Sequence, residues 1–211
     1  VFAIPTVGAE CIAHELTAEK LTEMRGLNWD NAGLDTMVKS GFLPQFGADC
    51  LKAEMPEEKE RVIGLVDRTF NDKLEIDVGG VTCVLEHIGG THTPDSSVLY
   101  VPERDVLFAG DCIYGRRFGS EYGYRIEELT RMRDQLTSYK AEYYLVSHEE
   151  PQTRDEFLNF LERLVSIGEL VDDETDPAKA KERFRNSRGT EPNKEDSLII
   201  SFFTGPNNTE L

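Results

Sequence analysis

The chain of 211 residues is short of basic side chains: 23 Lys and Arg stand against 40 Asp and Glu, a formal charge of −17. A surface of that sign repels nucleic-acid phosphates and anionic membranes at long range. Nucleic acid and membrane are therefore not expected partners. The sequence has no apolar run of the length a membrane span needs. It also lacks a basic leader before an apolar stretch, so no secretory signal is read and a cytoplasmic location is expected. Cysteines are few and scattered: Cys11, Cys50, Cys83 and Cys112 include no CxxC pair. That argues against a Cys-rich zinc module and a small disulfide scaffold, and free thiols are expected. Methionine is missing from the first position, where Val1 stands. The expectation is a chain that starts after processing, or a piece of something longer.

What is present reads as one folded domain with a tail: residues 1–171, then a charged connector and terminal strand over 172–211. Glu15 to Met24 has a helical pattern, and residues 26–54 read as a loop-rich excursion with at most one short helix. Pro56 to Val66 looks like a helix start, with proline in the first turn and acidic residues after it. Lys73 to Val78 and Val81 to Ile88 flank Gly79-Gly80 as a β-hairpin. Ser97 to Val101 and Val106 to Ala109 are further strands, joined by a turn at Pro102 to Asp105. A helix over Ile126 to Tyr139, a buried strand at Tyr143 to Val146 and an amphipathic helix over Arg154 to Leu170 follow. Leu198 to Phe203, LIISFF, reads as a last strand that could cover a sheet edge; an uncovered edge would favour a dimer or higher oligomer.

The chemistry gathers in GGTHTPDSSVLYVPERDVLFAGDCIYG, residues 89–115. His92 and Asp111 each sit just past a strand end, and His148 follows the apolar strand YYLV. A rigid sheet can hold such loop residues where a metal needs them. Imidazole and carboxylate donors suit zinc, with iron or manganese as alternatives. A metal there would lower the pKa of a bound water and make hydroxide available as nucleophile. Tyr114, Arg116, Arg117 and Tyr122 lie on the following Gly-rich loop, which contacts substrate or is an ordinary exposed loop. Cys112 should point away from the site and pack. His14 and His87 read as structural.

The run THTPDSSVLYVPERDVLFAGD, with LVSHEEPQTRDEFLNFLERL behind it, closely resembles the metallo-β-lactamase superfamily. The resemblance extends from about Ile12 to Val171. It implies an αβ/βα sandwich, and a metal-dependent hydrolase whose metal-bound hydroxide attacks an ester, thioester or amide of a small molecule. It also implies His92, Asp111 and His148 as metal ligands and Asp111 as the residue orienting the nucleophile; of the loop residues, Tyr114 and Arg117 are the expected substrate contacts. A non-catalytic binding or regulatory protein on the same scaffold is the alternative. The chain departs from the family pattern at Asp95 and Ser147, where many members carry glycine. The family's His-x-His-x-Asp-His signature is absent from the 211 residues. The expectation is thus a sandwich whose N-terminal part is missing, with three of the ligands remaining for one ion.

Overall fold

The computed structural model describes residues 2, 4–55, 61–118, 121–171 and 174–204. They form two compact units, Val1–Asn71 and Asp72–Leu211. The expected mixed α/β class is borne out. Among the described residues no helix is long and apolar enough to cross a membrane.

The first unit holds α1 (Ile4–Val7), β1 (Ile12–His14), α2 (Glu15–Arg25), α3 (Asn31–Lys39), α4 (Gln45–Glu54) and β2 (Arg68–Phe70). The two strands pair in parallel. Leu21, Trp29, Leu34, Met37, Ala48 and Ile63 form its core. His14 is structural, as expected: its Nδ1 accepts from the Leu16 amide at 3.2 Å and caps α2. Two expectations are corrected here. Residues 26–54 are not a loop excursion but carry α3 and α4. Asp30 caps α3 by accepting from the Gly33 amide at 2.7 Å, and Pro44 stands at the head of α4. The helix expected over Pro56 to Val66 is absent at 61–66, which are not helical; residues 56–60 lie outside the described set. The reason is tertiary. The buried Arg61 guanidinium donates to the Met55 and Trp29 carbonyls and to Asn31 Oδ1, at 2.7, 2.8 and 3.0 Å. Those bonds hold the segment out of the helix its composition favours.

The second unit is built on a six-stranded sheet ordered β10-β9-β6-β5-β4-β3. Its members are β3 (Lys73–Asp77), β4 (Thr82–His87), β5 (Ser97–Val101), β6 (Val106–Gly110), β9 (Tyr143–Val146) and β10 (Gln152–Thr153). β3 to β6 run as an antiparallel meander. The first turn works because Gly79 and Gly80 take φ of 91° and 89°, and Asp77 Oδ1 accepts both their amides at 2.9 Å. β9 lies parallel to β6, which requires a crossover, supplied by α5 (Ile126–Ser138). Before α5 comes the short hairpin β7 (Arg116–Phe118) and β8 (Glu121–Gly123). Three helices complete the unit: α6 (Arg154–Val171), α7 (Pro177–Arg188) and α8 (Lys194–Thr204). Leu107, Ala109, Tyr144 and Val146 of the sheet share one core with Leu129, Leu136, Phe157, Leu161, Ile200 and Phe203 of the helices.

The C-terminal expectations also change. LIISFF lies inside α8 and is not a strand, so it neither covers nor replaces a sheet edge. The buried positions Asp196, Ile199, Ile200, Phe203 and Thr204 recur at helical spacing. Arg163 of α6 anchors this helix: its Nη2 and Nε reach Asp196 Oδ1 at 2.6 and 3.0 Å. Asn193 Oδ1 accepts the Glu195 and Asp196 amides, each at 2.9 Å, and starts it. The charged connector contains α7, capped by Asp176, begun by Pro177 and closed by Gly189 at φ 71°. Its Ala180 and Phe184 are buried, so the segment is more than an exposed link. Residues 205–211 lie outside the described residues.

Candidate functional site

His92 lies in the turn between β4 and β5, and a network of short bonds fixes that turn. His87 Nε2 lies 2.8 Å from the Pro94 carbonyl, which confirms it as a satisfied sheet histidine. The Ile88 amide donates to the Ser96 carbonyl at 3.1 Å, and the Thr93 and Ser96 hydroxyls are 3.1 Å apart. Thr91 ties the turn to the next loop, its hydroxyl donating to the carbonyls of Tyr114 at 2.8 Å and Cys112 at 3.2 Å. Gly90 has no room for a side chain, since a Cβ would stand 3.0 Å from Ser96 and 3.2 Å from the Cys112 carbonyl.

Asp111 follows a break in the β6–β9 register at Phe108 to Gly110, where Gly110 takes φ 56°. Such a bulge re-aims the residue after it. His148 follows β9 and has φ 67°, a left-handed conformation uncommon for a non-glycine residue. It is held on its N-terminal side by the Ser147 amide, which donates to the Gly110 carbonyl at 3.1 Å. The Tyr114 hydroxyl donates to the Ser147 carbonyl, which links the Asp111 loop to the His148 loop.

These loops bring His92, Asp111 and His148 together. His148 Nε2 lies 3.7 Å from Asp111 Oδ1, and His92 Nε2 lies 4.0 Å from Asp111 Oδ2. Neither is a hydrogen bond. His92 Nδ1 lies 3.2 Å from the Gly115 carbonyl, so the proton belongs on Nδ1 and the Nε2 lone pair faces Asp111. Asp111 Oδ1 is buried and has no hydrogen-bond partner. An unpaired carboxylate oxygen of this kind is costly unless a cation satisfies it.

The fit to a divalent ion follows from these distances. Two donors on one tetrahedral ion at ~2.1 Å stand ~3.4 Å apart. The two pairs, which use different oxygens of Asp111, are wider than that by ~0.3 and ~0.6 Å, and among the described residues no group of three or more His, Cys, Asp or Glu could hold a metal ion as placed. The donors fit in kind, and Asp111 Oδ1 is left without a hydrogen-bond partner. Closing the set takes movement at both pairs; the His148 side chain is 79% exposed and that of His92 31%.

Beside the donors opens a cavity of about 570 Å³. Tyr114, Tyr122 and Tyr124 line it together with Phe160 and Leu164 of α6 and Leu198 and Phe202 of α8. Burial, with Glu149 and Asp111 nearby, raises the Tyr114 pKa above its ordinary value, so its hydroxyl stays a donor. Arg117 takes another course: it is exposed on β7 and is not among the residues lining the cavity. Its neighbour Arg116 is turned to Glu128 at 3.0 Å. Cys112 packs as expected; burial pushes its thiol up to about 12. The wall from α6 and α8 had no local signal in the sequence, because distant helices build it.

The family described as Metallo-beta-lactamase superfamily matches residues 13–148, a span containing all three donors. Among solved structures, a metallo-beta-lactamase from Pontibacter korlensis is 22% identical over 72% of this chain and 80% of its own, with a TM-score of 0.38. A metallo-beta-lactamase family protein from Thermus thermophilus is 17% identical over 93% of this chain and 66% of its own, with a TM-score of 0.43. A double mutant of the sec-alkyl sulfatase PisA1, an enzyme of Pseudomonas sp., is 13% identical, with a TM-score of 0.53. It covers 99% of this chain, which spans only 38% of that protein. At these identities the likeness is one of fold. No curated protein matches the chain.

Proposed function

Because this chain belongs to the metallo-beta-lactamase superfamily, we propose that it is a metal-dependent hydrolase of an ester, thioester or amide bond in a small molecule, with His92, Asp111 and His148 holding the ion. The observation that carries this reading is the Asp111 carboxylate, whose Oδ1 is buried without a hydrogen bond, with His148 Nε2 on the side of Oδ1 and His92 Nε2 on the side of Oδ2. Zinc suits the donor set, with iron or manganese as alternatives. When bound, the ion supplies Lewis acidity to a water and to the scissile carbonyl.

The chain's own residues do the rest. Asp111 accepts a hydrogen bond from the attacking water and orients it. His92 is kept in its Nδ1–H tautomer by the Gly115 carbonyl. Tyr114, tethered to the Ser147 carbonyl, sets the spacing between the Asp111 and His148 loops and forms one side of the substrate cavity.

A second reading is a non-catalytic binding protein on this scaffold, favoured by the absence of a closed donor group among the described residues. Equilibrium dialysis against zinc, paired with a panel of nitrophenyl esters and thioesters, separates the two. The hydrolase reading expects stoichiometric zinc, zinc-dependent turnover, and a loss of zinc affinity of at least ~10-fold in Asp111→Asn. Zinc binding indifferent to that substitution, or no turnover in the zinc-loaded chain, overturns it.

A further inference from the structure

The cavity beside Asp111 has a pronounced chemical bias. Its far wall is aliphatic and aromatic: Phe160 and Leu164 from α6, Leu198 and Phe202 from α8. Its charged lining residues, apart from Asp111, are Glu149 and Glu195, and no Lys or Arg lines it among the described residues. Two nearby cations are turned elsewhere. Arg116 pairs with Glu128, and Arg163 pairs with Asp196 and Glu195. A substrate anion entering here would lose water, meet carboxylates and find no guanidinium or ammonium to replace its hydration. A volume of about 570 Å³ suits a drug-sized ligand.

We propose that this cavity binds the non-reacting part of the substrate, and that this part is a bulky, uncharged apolar group, aromatic or branched aliphatic, to the exclusion of anionic groups. The proposal rests on the hydrolase reading for the word substrate, but the binding itself does not depend on the ion. Leu198 carries much of the selectivity. Its side chain is 55% exposed in the free chain although it lines the cavity, so an apolar ligand gains by covering it. Glu149, next to His148 at the donor end, is the group that repels an anion.

Two fluorescent probes sharing one aromatic skeleton test this directly: neutral N-phenyl-naphthylamine and its sulfonated relative, anilinonaphthalene sulfonate. Each is titrated into the full chain as purified, with and without added zinc. The neutral probe is expected to saturate at one site and to bind at least ~10-fold tighter than the sulfonate. Leu198→Asp, at an exposed position that folding tolerates, is expected to weaken the neutral probe by roughly 5- to 10-fold with an unchanged unfolding midpoint. Glu149→Lys is expected to tighten the sulfonate by at least ~3-fold. Equal affinity for the two probes, or indifference of the neutral probe to Leu198→Asp, overturns the proposal. Probe binding without zinc binding would instead sink the hydrolase reading and leave the cavity assignment standing. Zinc-dependent turnover without probe discrimination would do the reverse.

Discussion

The guanidinium of Arg154, the first residue of α6, donates to the buried Tyr144 hydroxyl of β9 at 2.9 Å. The same Nη1 reaches the Tyr139 carbonyl at 2.6 Å, and Nη2 reaches that of Thr137 at 3.0 Å. One side chain thus closes the C-terminal end of α5 against the strand that leads to His148. Tyr144 also stacks on Phe157, with ring centroids 4.2 Å apart. Arg154→Met keeps the stem of the side chain but takes the guanidinium from three carbonyls and a hydroxyl. A loss of about 2–4 kcal/mol is expected, read from urea unfolding at neutral pH.

Gly115→Ala should separate folding from ion binding. A Cβ at residue 115 would stand 2.8 Å from the Gly123 carbonyl oxygen, so the β7–β8 hairpin must shift and take the Gly115 carbonyl with it. That carbonyl holds His92 Nδ1. Zinc affinity is expected to fall by roughly 10- to 100-fold. Dialysis measures the affinity, and circular dichroism checks that the variant remains folded.

Glu156 gives the α6 terminus a defined pH dependence. Thr153 donates to Glu156 Oε2 from its amide at 2.8 Å and from its hydroxyl at 2.7 Å, and these bonds lower the Glu156 pKa below its ordinary 4.5. A carboxylate whose pKa is depressed on folding stabilises fully above its unfolded value. It loses that contribution as pH falls through the folded value. Glu156→Gln is therefore expected to be less stable than wild type at pH ~7, with the gap closing as pH falls through the folded value. Urea midpoints across an acid series check this; a gap that does not narrow in acid would count against it.

Asp196→Ala tests the anchoring of α8. It removes the carboxylate that accepts from Arg163 and from the Asn193 amide. The pair is only partly buried, so a stability loss of about 1–3 kcal/mol is expected. Hydrogen exchange should quicken in 194–204 before the rest of the second unit.

The parts of this fold readable from sequence are those that local chemistry decides. The β3–β4 hairpin is visible because Lys73 to Asp77 alternates and Gly79-Gly80 permits positive φ. α6 is visible in the apolar face of Arg154 to Leu170, where Phe157, Leu161, Leu164 and Val165 are buried. The donors were legible through their placement at strand ends. What was misread depended on distant contacts. LIISFF has strand composition, and its helical face emerges only when Asp196 is seen bound to Arg163, thirty-three residues earlier. α3 was obscured by Gly33, which the helix needs, since a Cβ there would fall 1.9 Å from the Asn28 carbonyl oxygen. Arg117 is exposed on β7 and is not among the residues that line the cavity, although Tyr122, paired opposite it, is.

Tyr124 joins the two halves of the site. Its amide donates to the Phe202 carbonyl of α8 at 3.1 Å, and its hydroxyl donates to the Ile113 carbonyl at 3.0 Å, two residues past Asp111. The helix that walls the cavity and the loop that presents the Asp111 carboxylate therefore share a common strut. A backbone shift at Phe202 would reach the Asp111 loop through Tyr124. Redesign for a new substrate is best begun at solvent-facing Leu198, and selection on this scaffold would find the same route.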